Sequence, residues 1–224
     1  KAVFDGDIGP NTGGMGTIAP LPWVKQDLMN EIASRVVKPA LDGLKKIDAA
    51  FVGLLYPGLI STPYLTSPTR GEESEIIPST RRARGRGWGD IKVLEFNARF
   101  GDPETQSYMR LLKTDLLDIL MACVDGKLDE ITIEWENKFT CCIVLASGGY
   151  PGNYEKGKII TGLDEASKLP DIVIFHAGSI IQESMILTNG GRVLGVTAID
   201  DTLKGTLDKA YEAVKLIHFE GVAA

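Results

Sequence analysis

The segment LEFNARFGDPETQ (94–106) holds the residues best suited to chemistry. On an extended strand alternate residues share a face, about 6–7 Å apart, so Glu95, Asn97 and Arg99 point the same way. A carboxylate and an amide oxygen at i and i+2 can hold a hard cation such as Mg²⁺. Such an ion keeps few protein ligands and completes its octahedron with water and phosphate oxygens. Arg99, one step further along that face, suits neutralisation of a transferring phosphoryl group. The same pattern also suits a solvated strand face with an ordinary ion pair. Gly101-Asp102-Pro103-Glu104 then turns into a helix, and Asp102 is placed either to bind an amine or to cap that helix.

A second candidate is DGDIGPNTGGMG (5–16). Gly13, Gly14 and Gly16 allow backbone N–H groups to converge as an anion nest. The loop lacks the Gly-Lys-Ser/Thr ending of a nucleotide P-loop, and no strand precedes it as a dinucleotide fingerprint requires. On glycine content alone, an ordinary surface loop fits equally well. His176 and His218 lie far apart and outside any nucleophile motif, which reads as structural filling. The three cysteines, Cys123, Cys141 and Cys142, have neither a disulfide framework nor zinc-ligand spacing and read as buried reduced thiols.

These residues need elements to hold them. Turn-forming residues at 5–20 predict a loop. Helical spacing of Leu28, Ile32, Val36 and Leu44 predicts a helix from Trp23 to Lys45, kinked or divided at Pro39. Residues 49–60 read as a buried strand. Residues 91–100 read as another, with Leu94, Phe96, Ala98 and Phe100 turned to a core. One helix is expected over 104–124, stopped by Gly126. KLDEITIEWEN (127–137) is a polar bridge and the best boundary, giving domains at 1–130 and 131–224. Beyond it, 139–146, 172–177 and 192–199 read as strands, with a hairpin turn at Thr188–Gly191. An amphipathic helix over 202–219 closes the chain, with Leu203, Leu207, Ala210, Tyr211, Val214 and Ile217 inward. Residues 61–90 are polar, aperiodic and arginine-bearing; they read as a disordered insertion, the alternative being that RRARGRG binds an anionic partner.

The 224 residues allow one or two domains, and 44% hydrophobic with 24% charged residues is a globular composition. A net charge of −6 provides no basic field, which argues against nucleic acid and anionic lipid as partners. No 18-residue apolar run and no signal-peptide pattern occur, so no membrane association and a cytoplasmic location are expected. The chain opens on Lys1, which reads as a beginning inside a larger protein.

Four motifs in order, GPNTGGMG, LEFNARFGDPETQ, ASGGYPG and TNGGRVLGVTA, resemble the phosphoribosylamine–glycine ligase (glycinamide ribonucleotide synthetase) family of ATP-grasp enzymes. The resemblance runs from Lys1 to about Glu220, apart from 61–90. It implies an α+β fold: the C-terminal part of an ATP-grasp domain followed by a small strand-rich α+β domain. It implies ligation of glycine to 5-phosphoribosylamine, with ATP going to ADP and phosphate through a glycyl phosphate, in de novo purine synthesis, with Mg²⁺ or Mn²⁺. By that resemblance Glu95 and Asn97 are metal ligands and Arg99 and Asp102 line the reaction centre. Asn11, Thr12, Gly13, Gly14 and Gly16 face the substrates. It further implies that the N-terminal part of the enzyme, with the groups holding the nucleotide, precedes Lys1. The alternatives are the same module within a bifunctional ligase/cyclo-ligase polypeptide, or a non-catalytic fragment acting as a binding module.

Overall fold

A computed structural model describes residues 2–4, 8–61 and 91–224. Asp5-Gly6-Asp7 and the expected insertion with its RRARGRG run lie outside the described residues, save Ser61, which ends a strand. The chain divides into two compact units: Lys1–Leu21 with Phe100–Ala224, and Pro22–Arg99.

In the first unit, β1 (Ala2–Phe4) pairs antiparallel with β2 (Ile8–Asn11). β3 (Gly16–Ala19) then joins the main sheet, so residues 8–19 are not the continuous loop that their Gly, Pro and Asn content suggests. β2 finds its partner locally in β1, whereas β3 forms because β6 (Phe139–Ala146) offers it an edge more than a hundred residues away. The sheet order is β3-β6-β10-β7, all antiparallel, with β7 at Ile172–His176 and β10 at Arg192–Asp200.

Both inner strands are buried on two faces and read as unbroken apolar runs, FTCCIVLA and VLGVTAI. One face carries Cys141, Ile143 and Leu145 of β6 against Ala210, Ala213 and Ile217 at and beyond α6 (Leu203–Val214). Leu145, Leu194 and Ile217 are fully buried, each contributing about 1.5–3 kcal/mol relative to exposure. Thr202 Oγ1 caps α6 by accepting the Gly205 N–H at 3.0 Å. Tyr211, expected inward, is exposed; Thr206 takes a place on the inner face instead.

The opposite face carries α3 (Glu104–Tyr108), packed on β3, β6 and β10. The helix expected over 104–124 is therefore two. Asp115, whose Oδ1 accepts the Leu117 N–H at 2.8 Å, starts α4 (Leu116–Val124) afresh. Gly126, with φ +68°, ends it as predicted. A short helix, α5 (Leu163–Ser167), packs beside β7. The hairpin near 188 is also differently placed. β8 (Ser179–Gln182) and β9 (Met185–Thr188) turn at Glu183-Ser184, both with positive φ, and Asn189–Gly191 is the link from β9 into β10.

In the second unit, α1 (Gln26–Ile32) and α2 (Lys38–Lys46) are joined by a π-helical stretch at Ala33–Val37. Pro39 directly follows that stretch within an unbroken helical run over 26–46, so the helix is not divided there and the departure from α-geometry falls just before the proline. The expected strand over 49–60 is shorter: β4 (Tyr56–Ser61), paired with β5 (Ile91–Asn97). Leu94 and Phe96 are 69% and 48% exposed and do not turn to a core. Among the described residues this sheet has only two strands, and a two-stranded sheet has no second layer to bury that face.

Candidate active site

Each unit carries part of the candidate chemistry and is described by itself. On β5, Glu95 lies opposite Gly58 of β4, but Leu59 pairs with Val93, so Leu94 is an extra residue and the strand bulges beside Glu95. Bulges of this kind re-aim neighbouring side chains. Gly58 leaves room for the Glu95 side chain. A Cβ at that position would stand 3.0 Å from Glu95 Cγ and 3.5 Å from its Oε1. Asn97 Nδ2 donates to Glu95 Oε1 at 2.9 Å. The pairing directs the amide nitrogen at the carboxylate and leaves Glu95 Oε2 and Asn97 Oδ1 as hard oxygen donors. Two such oxygens fit Mg²⁺ or Mn²⁺, which take one or two protein groups with phosphate and water making up the rest. Among the described residues, no cluster of three or more His, Cys, Asp or Glu forms a closed metal cage. Arg99 lies beyond the last paired residue of β5 and is exposed.

In the first unit, the glycine loop and the Gly101–Glu104 turn meet the ends of β6 and β10. Asn11 closes β2 opposite Ala2. Thr12 Oγ1 accepts the Gly14 N–H at 3.1 Å, and the Gly13 N–H donates to Tyr150 Oη at 3.2 Å. Gly14 has φ +113°, and a Cβ on Gly16 would come within 2.8 Å of the Cys142 carbonyl oxygen across the β3–β6 ladder. The glycines thus serve close backbone approach, and the Gly13 and Gly14 amides are held within the protein. Asp102 does not cap α3. Its Oδ1 accepts from Gln106 Nε2 at 2.8 Å, and its Oδ2 receives Arg192 Nη2 at 2.9 Å.

Arg192, Tyr150 and Gln106 are residues that reasoning from sequence left without a role. Tyr150 and Arg192 sit within ASGGYPG and TNGGRVLGVTA, and a charged side chain opening an otherwise apolar strand was the available signal. Cys142 faces this side of the sheet, as a Cβ on Gly195 would lie 3.0 Å from its Sγ. Burial first, then the nearby Cys141, Asp102 and Glu104, push its thiol up to about 12. Cys142 is therefore protonated at neutral pH and is no nucleophile. Cys141, on the α6 side, is pushed up to about 11, chiefly by burial.

Two family models match the chain: phosphoribosylglycinamide synthetase, ATP-grasp (A) domain, over residues 1–68, and phosphoribosylglycinamide synthetase, C domain, over 140–224. A phosphoribosylamine–glycine ligase of Caldanaerobacter subterraneus is 42% identical over 222 residues, covering 99% of this chain and 46% of that protein. A bifunctional purine biosynthetic protein of Schizosaccharomyces pombe is also 42% identical, over 98% of this chain and 24% of its own length. The crystal structure of the Thermotoga maritima phosphoribosylamine–glycine ligase superposes with a TM-score of 0.76 at 32% identity, over 100% of this chain and 48% of that one. The chain spans about half the length of the single-function ligases it matches, 46% in the first case. No helix among the described residues is long and apolar enough to cross a membrane.

Proposed function

Since this chain belongs to the phosphoribosylglycinamide synthetase family, we propose that it supplies the metal-bearing half of an ATP-grasp domain and the C-terminal domain of a phosphoribosylamine–glycine ligase, meeting near residue 131. The reaction joins glycine to 5-phosphoribosylamine at the expense of ATP, in purine biosynthesis and in the cytoplasm. Glycine's carboxylate oxygen attacks the γ-phosphorus of ATP, ADP departs, and the acyl phosphate forms. The amine of phosphoribosylamine then attacks the acyl carbon, loses a proton, and inorganic phosphate leaves with the bonding pair. The observation that carries the reading is the Glu95–Asn97 pair, held side by side at 2.9 Å on a strand that bulges beside it.

Phosphoryl transfer asks for positioning and charge neutralisation and needs no protein nucleophile. The oxygens of Glu95 and Asn97 hold a divalent cation, Mg²⁺ or Mn²⁺, which when bound neutralises phosphate charge. Arg99 offers a guanidinium to the transferring group. Residues 11–16 shape the loop that faces glycine and phosphoribosylamine, and Asp102 holds the turn behind it. The segment is as similar to a bifunctional protein as to a stand-alone ligase, so the proposal covers either setting.

The test combines this chain with the N-terminal portion present in its relatives and follows ADP release that depends on glycine and phosphoribosylamine. Glu95→Gln and Asn97→Ala should each abolish most divalent-metal-dependent turnover while leaving the unfolding transition in place. Near-normal turnover in both variants would overturn the metal assignment. Calorimetry on this chain alone should show weak ATP binding or none, because the proposal assigns the nucleotide grip to the N-terminal portion; tight binding refutes that division of labour.

A further inference from the structure

We propose that Arg192 is a positioning residue for the reaction above, a single guanidinium that sets the substrate-facing glycine loop against the Gly101–Glu104 turn. Its Nη1 donates to the carbonyl oxygens of Gly13 at 3.2 Å, Gly14 at 3.4 Å and Asp102 at 2.6 Å, and its Nη2 to Asp102 Oδ2 at 2.9 Å. The partners lie on two chain segments 178–179 and 90 residues away in sequence. Only 22% of the Arg192 side chain is exposed, whereas its partners Gly13 and Asp102 stand at the surface. A planar fork of five donors can serve acceptors on two segments at once, whereas a lysine ammonium is a point charge on a flexible stem.

The surroundings fit that role. A Cβ on Gly13 would lie 3.4 Å from Arg192 Cζ and 3.5 Å from Tyr150 Oη, ordinary contact distances that place both side chains directly against the loop's backbone. Tyr150 accepts the Gly13 N–H while Arg192 binds the Gly13 C=O, fixing that residue from both sides. Arg192 is itself anchored. The Gly178 N–H donates to its carbonyl at 2.9 Å, and Ser147 holds the two preceding residues through Gly190 O and Gly191 O, each at 2.8 Å. With its guanidinium committed to carbonyls and to Asp102, Arg192 acts through the loop, not on the substrate.

The inference rests on the proposal that residues 11–16 face substrate, and two measurements separate the two claims. Hydrogen exchange on this chain reads the clamp alone. Arg192→Met should speed exchange at Gly13 and Gly14 about ten- to a hundredfold, the loss of one charge-assisted hydrogen-bond set, with Leu194 and Val196 amides unchanged. In the ligase assay, Arg192→Met should raise the KM for phosphoribosylamine or glycine by a similar factor with the KM for ATP unchanged, and Arg192→Lys should restore part of it. Unchanged exchange at Gly13 and Gly14 in a folded Arg192→Met protein overturns the inference, as does an equal rise in all three KM values. Asp102→Asn, which removes only the ion pair, gives the exchange readout if Arg192→Met does not fold; it should release the loop to a smaller extent, and an unchanged loop refutes the clamp. Loop release with no ligase activity in the unsubstituted protein would sustain the clamp and sink the functional reading.

Discussion

Gly58 is the sharpest probe of the candidate cation site, because it stands against the Glu95 side chain without contributing a ligand. Its φ lies outside the left-handed region, so alanine is compatible with the backbone at this position. The new Cβ would meet Glu95 Cγ at 3.0 Å, a few tenths of an ångström too close, and what must yield is an exposed side chain. A side chain forced about 30° off its rotamer costs about 0.5–1.5 kcal/mol. Replacing a strand glycine by alanine returns about 0.5–1 kcal/mol of backbone entropy. The two nearly cancel, so Gly58→Ala should change stability by no more than about 1 kcal/mol, about 2–4 °C in Tm for a chain of this size. The cation does not share in that cancellation. Recovering the productive carboxylate position re-forms the 3.0 Å contact at each binding event, and a cost of about 0.5–1.5 kcal/mol predicts divalent-ion affinity lower by about two- to thirteenfold. Mn²⁺ is the convenient probe, since its paramagnetism broadens the Asn97 side-chain amide resonance even when binding is weak. A titration of the unsubstituted protein, Gly58→Ala and Glu95→Gln, with thermal unfolding alongside, decides the matter. Equal Mn²⁺ affinity in the unsubstituted and Gly58→Ala proteins would refute a cation site set by this carboxylate. Destabilisation beyond about 3 kcal/mol, at the upper end of core overpacking, would show that the sheet yields and not the side chain.

At pH 8, Cys123 should react with a disulfide reagent well ahead of Cys141 and Cys142, whose thiols titrate near 11 and 12; a count of two or three fast thiols in the folded protein contradicts this. Because burial raises both thiols above their unfolded values, the stability tied to them is present below about pH 8.5 and is lost as pH rises toward 11 and 12, which alkaline unfolding would register. Thr202→Ala should remove about 1 kcal/mol and lower Tm by about 2–4 °C, with Thr202→Ser close to unchanged. Lys209 donates to Asp171 Oδ2 at 2.6 Å and lies 2.9 Å from Asp200 Oδ2, and the first cause of the low Asp200 value, about 2, is its hydrogen bond to Lys209. That depressed carboxylate supports the fold above the ordinary carboxylate range and is lost as pH falls toward 2. In Lys209→Met, NMR titration should find Asp200 moved up toward about 3.9, and a value still near 2 would show that Lys209 is not the cause.

Strands of the core were legible because burial on both faces leaves unbroken apolar runs, and 139–146 is found to the residue. The closing helix was legible for a different reason, its helical stripe, although it ends at Val214 where 219 was expected. Boundaries failed where local and distant forces compete. Asp115 splits 104–124 because a cap outweighs continuing periodicity, and β3 forms from turn-rich residues because β6 supplies hydrogen-bond partners that no window around Gly16 contains. The exposed Leu94 and Phe96 show the converse, an apolar pattern with no layer to bury it among the described residues.

The glycines mark the limit of reading a site from residue types. A ligand nest and a close backbone crossing both require a missing Cβ, so GPNTGG looks the same for either purpose. Coordinates separate them by naming what fills the space: the Cys142 carbonyl at Gly16, Pro103 Cδ at Gly14, and Arg192 with Tyr150 at Gly13. Each of those neighbours comes from the C-terminal three-fifths of the chain. The loop's shape is therefore set by residues 102–192 together with its own Thr12–Gly14 hydrogen bond and the positive φ at Gly14. It follows that substitutions at Arg192 or Tyr150 should disturb the loop as much as substitutions within it, whereas a change confined to the exposed Asn11 should not.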